Sequence, residues 1–329
     1  GLRYKINHNN DFELLKAIGH DCAGAVSFYP VGSEVLEHVY YPLKCDILSD
    51  EDLEKLINEL PVRPYLGRRL SLAGVQEKTP ICVIDDKMAL PLDETPTTHI
   101  LKPPLIRFKG SVVNEYICLK TAKAVGLTVP DVQIRNANSI EYFLIKRYDR
   151  MIVNNEIMRL HHEDFAQALG VSAADKYNVT YKDCLNVLNK MARPALEKMN
   201  FVSLAIFNYL IGNCDAHGKN YSILYLHNGP VLAPVYDVLC TIVYDLDLAM
   251  AMKIGKAKYI RDVSLKDWQN FSKTMEISAK VTFDELERQV NILPEELEKV
   301  VSTVNSDIGD DILKFVKNNC ENIKKLLNI

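Results

Sequence analysis

A strand-rich first half and a helix-rich second half predict an α+β fold built in two lobes. Up to Tyr148, short apolar runs alternate with turn residues; beyond it, long segments repeat apolar residues at helical spacing. The chain can afford two lobes: it has 329 residues, 48% hydrophobic and 25% charged. The expected division is residues 1–148 for the strand-rich lobe and 149–329 for the helical lobe. A cleft between lobes is a common place for a ligand.

The elements are expected in this order. Residues 10–20 form a short helix capped by Asp11, and residues 51–60 another, stopped by Pro61. From Leu72 to Leu90 the pattern is strand-like, with a turn at Ala73-Gly74 and a hairpin turn at Asp85-Asp86-Lys87. His99 to Lys102 is a short strand ending at Pro103-Pro104, and Asn114 to Val125 an amphipathic helix closed by Gly126. Residues 130–148 hold two strands joined by a turn at Asn136 to Ser139. Helices are expected at 181–192, 196–212, 283–303 and 308–327.

Bulk properties exclude several classes. The formal net charge is -4, which demands neither a nucleic-acid nor a membrane surface, so a role on DNA would need a partner. The apolar helical run Phe201 to Ile211, interrupted by Ser203 and Asn208, falls far short of the roughly 18 to 20 residues of a membrane span. The residues Gly1-Leu2-Arg3-Tyr4-Lys5 do not read as a secretory signal. Eight cysteines, with no C-x-x-C pair, are expected to be reduced, which suits the cytoplasm.

The chemistry concentrates in Asn208 to Tyr221, NYLIGNCDAHGKNY. A helix ends near Ile211-Gly212, and a polar loop follows with Asp215, His217, Lys219 and Asn220. The spacing Asp-x-x-x-x-Asn is the one phosphoryl transfer uses in kinase catalytic loops. One carboxylate must accept the proton of an attacking hydroxyl, and a neutral amide oxygen can ligate magnesium without adding charge. Asp237 follows within VLAPVYDVLC, read as a strand that presents one carboxylate as a magnesium ligand. Taken alone, Asp215 and Asn220 could equally be a solvated helix-end loop.

The first lobe offers the other half of such a site. SLAGVQEK, Ser71 to Lys78, reads as a turn whose backbone N–H groups cover phosphates, although a single glycine makes it neither a Walker loop nor G-x-G-x-x-G. Lys102 lies on a strand where it could neutralise phosphate, and Glu115, early in a helix, could orient it. An acid there is also favoured by the helix dipole alone. Arg63, Arg68 and Arg69 read as a solvated patch. His161-His162-Glu163-Asp164 looks like a metal cluster but, read as helix, points its side chains apart, so a capping or substrate-loop role is expected instead.

SLAGVQEK, THILK, the NEY helix, KRYDR, LHHEDFAQALG, CDAHGKN and PVYD occur in that order. Together they resemble the HipA toxin kinases of bacterial toxin–antitoxin systems, from about Phe12 to the region of Trp268. The resemblance implies a protein-kinase-like, phosphoinositide-kinase-related two-lobed fold. It also implies ATP and Mg2+ as cofactors, Asp215 as the catalytic aspartate, and Asn220 with Asp237 as metal ligands. Ala73, Gly74, Val75, Gln76, Glu77, Lys78 and Lys102 would surround the phosphates, and Lys146, Arg147 and Tyr148 would form the hinge against adenine. His217, Gly218, Lys219, Asn220, Tyr236 and Asp237 would close the site, and Ser71 would be an inhibitory autophosphorylation site.

The function implied is a serine/threonine protein kinase toxin acting on an aminoacyl-tRNA synthetase of glutamyl or tryptophanyl type. Its partner would be a HipB-like DNA-binding antitoxin, with DNA reached only through that antitoxin and no membrane involved. The chain resembles the short HipT-type form, in which a small HipS-like protein supplies an N-terminal β-rich segment. Two other readings stay open at this point: a lipid or small-molecule kinase of the same fold, and a nucleotide-binding pseudokinase scaffold.

Overall fold

The computed structural model describes residues 12, 19–29, 31–32, 38–60, 78–92, 95–246 and 248–329. The helix expected at 10–20, the Ala73-Gly74 turn, Ser71 and the Arg63, Arg68 and Arg69 patch lie outside them, apart from a 3-10 turn at Gly19–Asp21.

An antiparallel sheet forms the first lobe. Its strands are β1 (Cys45–Ile47), β2 (Thr79–Ile84), β3 (Lys87–Pro91), β4 (His99–Lys102), β5 (Val132–Ala137) and β6 (Ile140–Lys146), in the order β1-β3-β2-β4-β6-β5. Asp85 and Asp86, both at positive φ, turn β2 into β3 as a hairpin requires. The helix α1 (Asp50–Asn58), capped by Ser49, packs Leu53 and Ile57 on one face of the sheet with Ile81, Leu101, Tyr142 and Leu144. Strand side chains alternate between faces. Leu101 therefore faces α1 while its neighbour Lys102 faces the other way, toward α2 (Ser111–Ala124).

Helix α2 begins three residues before the expected Asn114 and ends as expected, with Gly126 at φ 98 just past its cap. Glu115 is therefore in the second turn, not the first, and no acid occupies the first turn. The dipole explanation of Glu115 fails with that shift.

The second half, expected to be helix-rich, also carries strands that the sequence did not announce. It holds the hairpin β7 (Arg150–Val153) and β8 (Glu156–Arg159), then β9 (His161–Asp164), and then the short α3 (Phe165–Ala168), α4 (Tyr181–Leu188) and α5 (Pro194–Ile211). Strands β10 (Ser222–Leu226) and β11 (Gly229–Leu232) join β9 in a three-stranded sheet, and β12 (Ala249–Ile254) pairs β13 (Ala257–Tyr259). Three helices close the chain: α6 (Leu265–Thr274), α7 (Ala279–Val301) and α8 (Asp307–Leu327). His161 to Asp164 is thus strand, not helix, and Asp164 caps α3 through a reciprocal capping box with Gln167.

The main core gathers α2 and α4 to α8 around the buried Phe165, Phe201, Phe207, Trp268 and Phe271. The eight cysteines are all free. No helix among the described residues is long and apolar enough to cross a membrane.

Candidate active site

The loop after α5 is set by the way that helix stops. Gly212 caps it at φ 81, and a Cβ there would stand 2.6 Å from Phe315 Cε1, so only glycine fits. Side chains then fix the loop in place of a regular ladder. Asn213 Nδ2 donates to Asn208 Oδ1 at 2.9 Å, its Oδ1 accepts from the Asp215 amide at 3.1 Å, and the Cys214 amide donates to Thr241 Oγ1 at 2.8 Å. Asp215 is half-buried and accepts from the Tyr177 hydroxyl at 2.7 Å. Gly218 opens a 3-10 turn, Gly218–Asn220, and a Cβ on it would meet Val179 Cγ2 at 2.7 Å.

Asp237 is not on a strand. It sits at φ 58 in an irregular segment after β11. Extended pairing fails there because the Ala233 amide donates to Ser222 and the Val235 amide to Thr128, while Pro234 has no N–H to give. The left-handed backbone turns the carboxylate onto Lys102. Lys102 Nζ donates to Asp237 Oδ1 at 2.9 Å and to Glu115 Oε1 at 2.6 Å, and all three groups are largely or wholly buried. Next to Glu115, Asn114 locks α2 to the segment beyond Asp237: its Nδ2 donates to the Cys240 carbonyl at 3.0 Å and its Oδ1 accepts from the Cys240 amide at 2.8 Å.

Charges decide the protonation states. Burial alone would raise the Asp237 carboxyl, but Lys102 and Lys78 outweigh it and hold it well below the usual carboxylate range. Burial would lower the Lys102 ammonium, yet Asp237 and Glu115 raise it, so it stays protonated. Glu115 is the more easily protonated acid, because burial raises it against the pull of Lys102 and Asp237 adds to the rise. His217 is pushed down to about 3 by burial and by the Lys176 cation, so its imidazole is neutral at neutral pH.

Beside this cluster lies a cavity of about 440 Å3. Ile100, Ile145, Tyr148 and His162 give it apolar and aromatic wall, and Lys78, Lys102, Lys176, Lys219 and Asp237 give it charge. Of the expected site residues, Lys78, Lys102, Lys146, Arg147, Tyr148, His217, Lys219, Tyr236 and Asp237 line it. Asn220 adjoins it through Asp237, whereas Asp215 and Gly218 do not line it: their partners Tyr177 and Val179 line a second cavity, with Thr180 and Met252. Ala73 to Glu77 and Ser71 lie outside the described residues.

Two expected binding residues are engaged elsewhere. The Arg147 guanidinium is taken up by Asp149, Asp21 and Thr97. Lys219 Nζ donates to Asp164 Oδ2 at 2.5 Å. Sequence reasoning missed Ala23, Asn114, Lys176 and Tyr177; His162 and Asp164 fall in the stretch expected to cap or to form a substrate loop, and Asp164 does cap α3. For Ala23 a signal existed: Arg147, Asp149 and Arg150 interrupt an apolar strand and must be paired if buried. They clamp the segment at Asp21 to Gly24, which brings Ala23 to the cavity.

The acids and amides fit a hard divalent cation. Asn220 Nδ2 donates to the Asp237 carbonyl at 3.1 Å, which leaves Asn220 Oδ1 buried without a hydrogen bond. One ionised carboxylate and one amide oxygen are the donors a magnesium ion takes when phosphates complete its shell. Among the described residues no cluster of three or more His, Cys, Asp or Glu side chains could hold a metal by itself.

A match to the HipA-like C-terminal domain family spans residues 70–309. The chain is 41% identical to Y4mE of Sinorhizobium fredii over 92% of its own length and 74% of that protein's. It is 31% identical to the serine/threonine-protein kinase toxin HipA of Shewanella oneidensis, over 76% of this chain and 61% of the toxin. The solved complex of Shewanella oneidensis HipA with HipB and operator DNA contains a chain of the same fold. The TM-score is 0.87 at 25% identity, over 98% of this chain and 80% of that one. The two-lobed, kinase-like architecture expected from the sequence is thereby established, and the chain belongs to the HipA-like C-terminal domain family.

Proposed function

We propose that the chain is an ATP-dependent serine/threonine protein kinase toxin. The observation that carries this reading is the buried Lys102 bridging Glu115 and Asp237 beside a cavity of nucleotide size. In it, Lys102 and Lys78 meet the triphosphate, and the chain around Lys146 to Tyr148 meets adenine with Ile100 and Ile145. Asp237 and Asn220 Oδ1 would hold magnesium, which when bound neutralises phosphate oxygens. Asp215 takes the acceptor hydroxyl's proton as the oxygen attacks the γ-phosphorus and ADP leaves.

Residues Ala73 to Lys78 complete the reading as a loop over the phosphates, with Ser71 as a site of inhibitory autophosphorylation. The protein acceptor is an aminoacyl-tRNA synthetase of glutamyl or tryptophanyl type. The partner is a HipB-like antitoxin that carries the contact with DNA, and a small HipS-like protein is a second partner. Support for the antitoxin comes from the related HipA solved with HipB and operator DNA.

Magnesium-dependent ATP consumption by the purified chain tests the core of this reading. Asp215→Asn should cut turnover by about 10² to 10⁴-fold and leave ATP binding intact. Near wild-type turnover in that variant, or no turnover in the parent, would sink it. Mass spectrometry after the same incubation tests Ser71, and phosphate that never appears there removes that part alone.

A further inference from the structure

A carboxylate that serves as a base needs its second oxygen held, or it rotates away from the acceptor. Asp215 sits on a short loop, where its amide donates to Asn213 Oδ1 at 3.1 Å. One holder of its carboxylate comes from elsewhere in the chain. A 3-10 turn at Ala173–Asn178, between α3 and α4, carries Lys176 and Tyr177. Tyr177 Oη donates to Asp215 Oδ1 at 2.7 Å. Its ring meets His217 edge-on, with centroids 5.2 Å apart and planes at 81°. Lys176 Nζ lies 5.1 Å from the Tyr177 ring centroid and lines the cavity. Two residues on, Val179 is buried against Gly218. The turn is therefore fastened to the loop at Asp215 and just beyond it: at Asp215 and His217 by Tyr177, and at Gly218 by Val179.

We propose that Tyr177 is a positioning residue for phosphoryl transfer, whose hydroxyl fixes Asp215 Oδ1 and so aims Oδ2 at the acceptor. This rests on the phosphotransferase reading above. A hydroxyl donating to a carboxylate is among the stronger hydrogen bonds, and orienting the base by a third group is how activated nucleophiles are generally arranged. The acceptor oxygen forms its bond to the γ-phosphorus and the bond to the bridging oxygen of ADP breaks. The acceptor proton passes to Asp215 Oδ2, and Tyr177 keeps its own proton throughout. The opposite reading of the same contact is that the phenol fills the acceptor's place and inhibits. The two differ in the sign of the effect when the hydroxyl is removed.

Tyr177→Phe removes the hydroxyl and keeps the ring on His217. With the 329-residue chain and Mg-ATP, ADP release gives kcat and KM, and calorimetry gives ATP affinity. The expected result is a kcat lower by roughly 10²-fold, with KM for ATP, ATP affinity and melting temperature unchanged. A loosened fold would not give that split. Wild-type or higher kcat in Tyr177→Phe, while Asp215→Asn is inactive, overturns the inference and leaves the phosphotransferase reading standing. A loss carried by KM or by the melting temperature also overturns it, because Tyr177 would then be structural. Full turnover in Asp215→Asn removes the phosphotransferase reading and this inference together.

Discussion

Asp237→Asn is the substitution whose effect should depend on metal. Asparagine tolerates the left-handed backbone that residue 237 adopts at φ 58, so the change removes a charge with little change of shape. At 2.9 Å from Lys102, the carboxylate gains roughly 6 kcal/mol of gross attraction at an effective dielectric of 20. Burial takes back most of it. Glu115 keeps Lys102 paired at 2.6 Å, so no cation is orphaned. The stability lost should be that of one hydrogen bond to a charged group, about 1.5 to 3 kcal/mol.

Nucleotide binding should change in opposite directions with and without magnesium. A charge roughly 6 Å from a triphosphate oxygen repels it by about 3 kcal/mol at the same dielectric. Metal-free ATP should therefore bind the variant more tightly, while Mg-ATP loses a carboxylate ligand and binds less tightly. The ratio of the metal-free to the magnesium dissociation constant should fall by at least about 10²-fold, of which the relieved repulsion alone supplies roughly 3 kcal/mol. Calorimetric titration with ATP in magnesium and in EDTA measures it, and a urea midpoint controls for folding. A ratio equal to the wild-type one would refute the assignment of Asp237 as the metal carboxylate.

Two further outcomes follow from the geometry. Gly218→Ala places a Cβ 2.7 Å from Val179 Cγ2, and overpacking of this kind costs roughly 1 to 3 kcal/mol; an unchanged urea midpoint would show that the contact is not tight. His217 is neutral in the fold because burial and Lys176 push it down to about 3. Between the ordinary histidine value and that one, only the unfolded chain takes up the proton. Its contribution is therefore fully present above about pH 6.5 and is lost as pH falls toward 3, at about 1.4 kcal/mol per pH unit. His99, pushed down to about 4 by burial and by Lys146, adds the same sign. His217→Gln should flatten the pH dependence of the urea midpoint between about pH 6 and 4 by that slope, and an unflattened curve would argue against the buried neutral ring.

The parts of the site legible in the sequence are those whose causes are local. A glycine-stopped helix followed by Asp215 and Asn220 needs only a few consecutive residues to define it, and the strand carrying Lys102 is bounded by its own Pro-Pro. Asp237 was read on a strand because VLAPV is apolar, but its amides find partners in two different segments, which no local pattern records. Strand β9 escaped notice for a related reason. His161 stacks on Tyr225, Glu163 accepts from the Tyr225 hydroxyl and Asp164 caps a helix, so polar side chains occupy a strand that tertiary contacts alone stabilise. Tyr177 stands far from Asp215 in sequence, and nothing short of the fold brings them together.

Two buried charge clusters flank the cavity, and they differ in a way that bears on function. Asp21, Arg147, Asp149 and Arg150 form a neutral set with four close ion pairs, in which burial would raise the Asp149 carboxyl but the two arginines hold it down to about 2. That set ties the Asp21 to Gly24 segment to the chain around Tyr148, a structural role that charge balance alone accounts for. The Lys102, Glu115 and Asp237 set carries one net negative charge when both acids are ionised. Glu115 Oε2, Asn220 Oδ1 and both His217 nitrogens are buried around it without hydrogen bonds. Unmet buried polar atoms destabilise a fold, and they gather around this cluster, whereas the arginine set leaves only Arg150 Nε unmet. Unmet acceptor atoms beside a lysine-lined cavity match what a divalent cation and a polyanion would supply together.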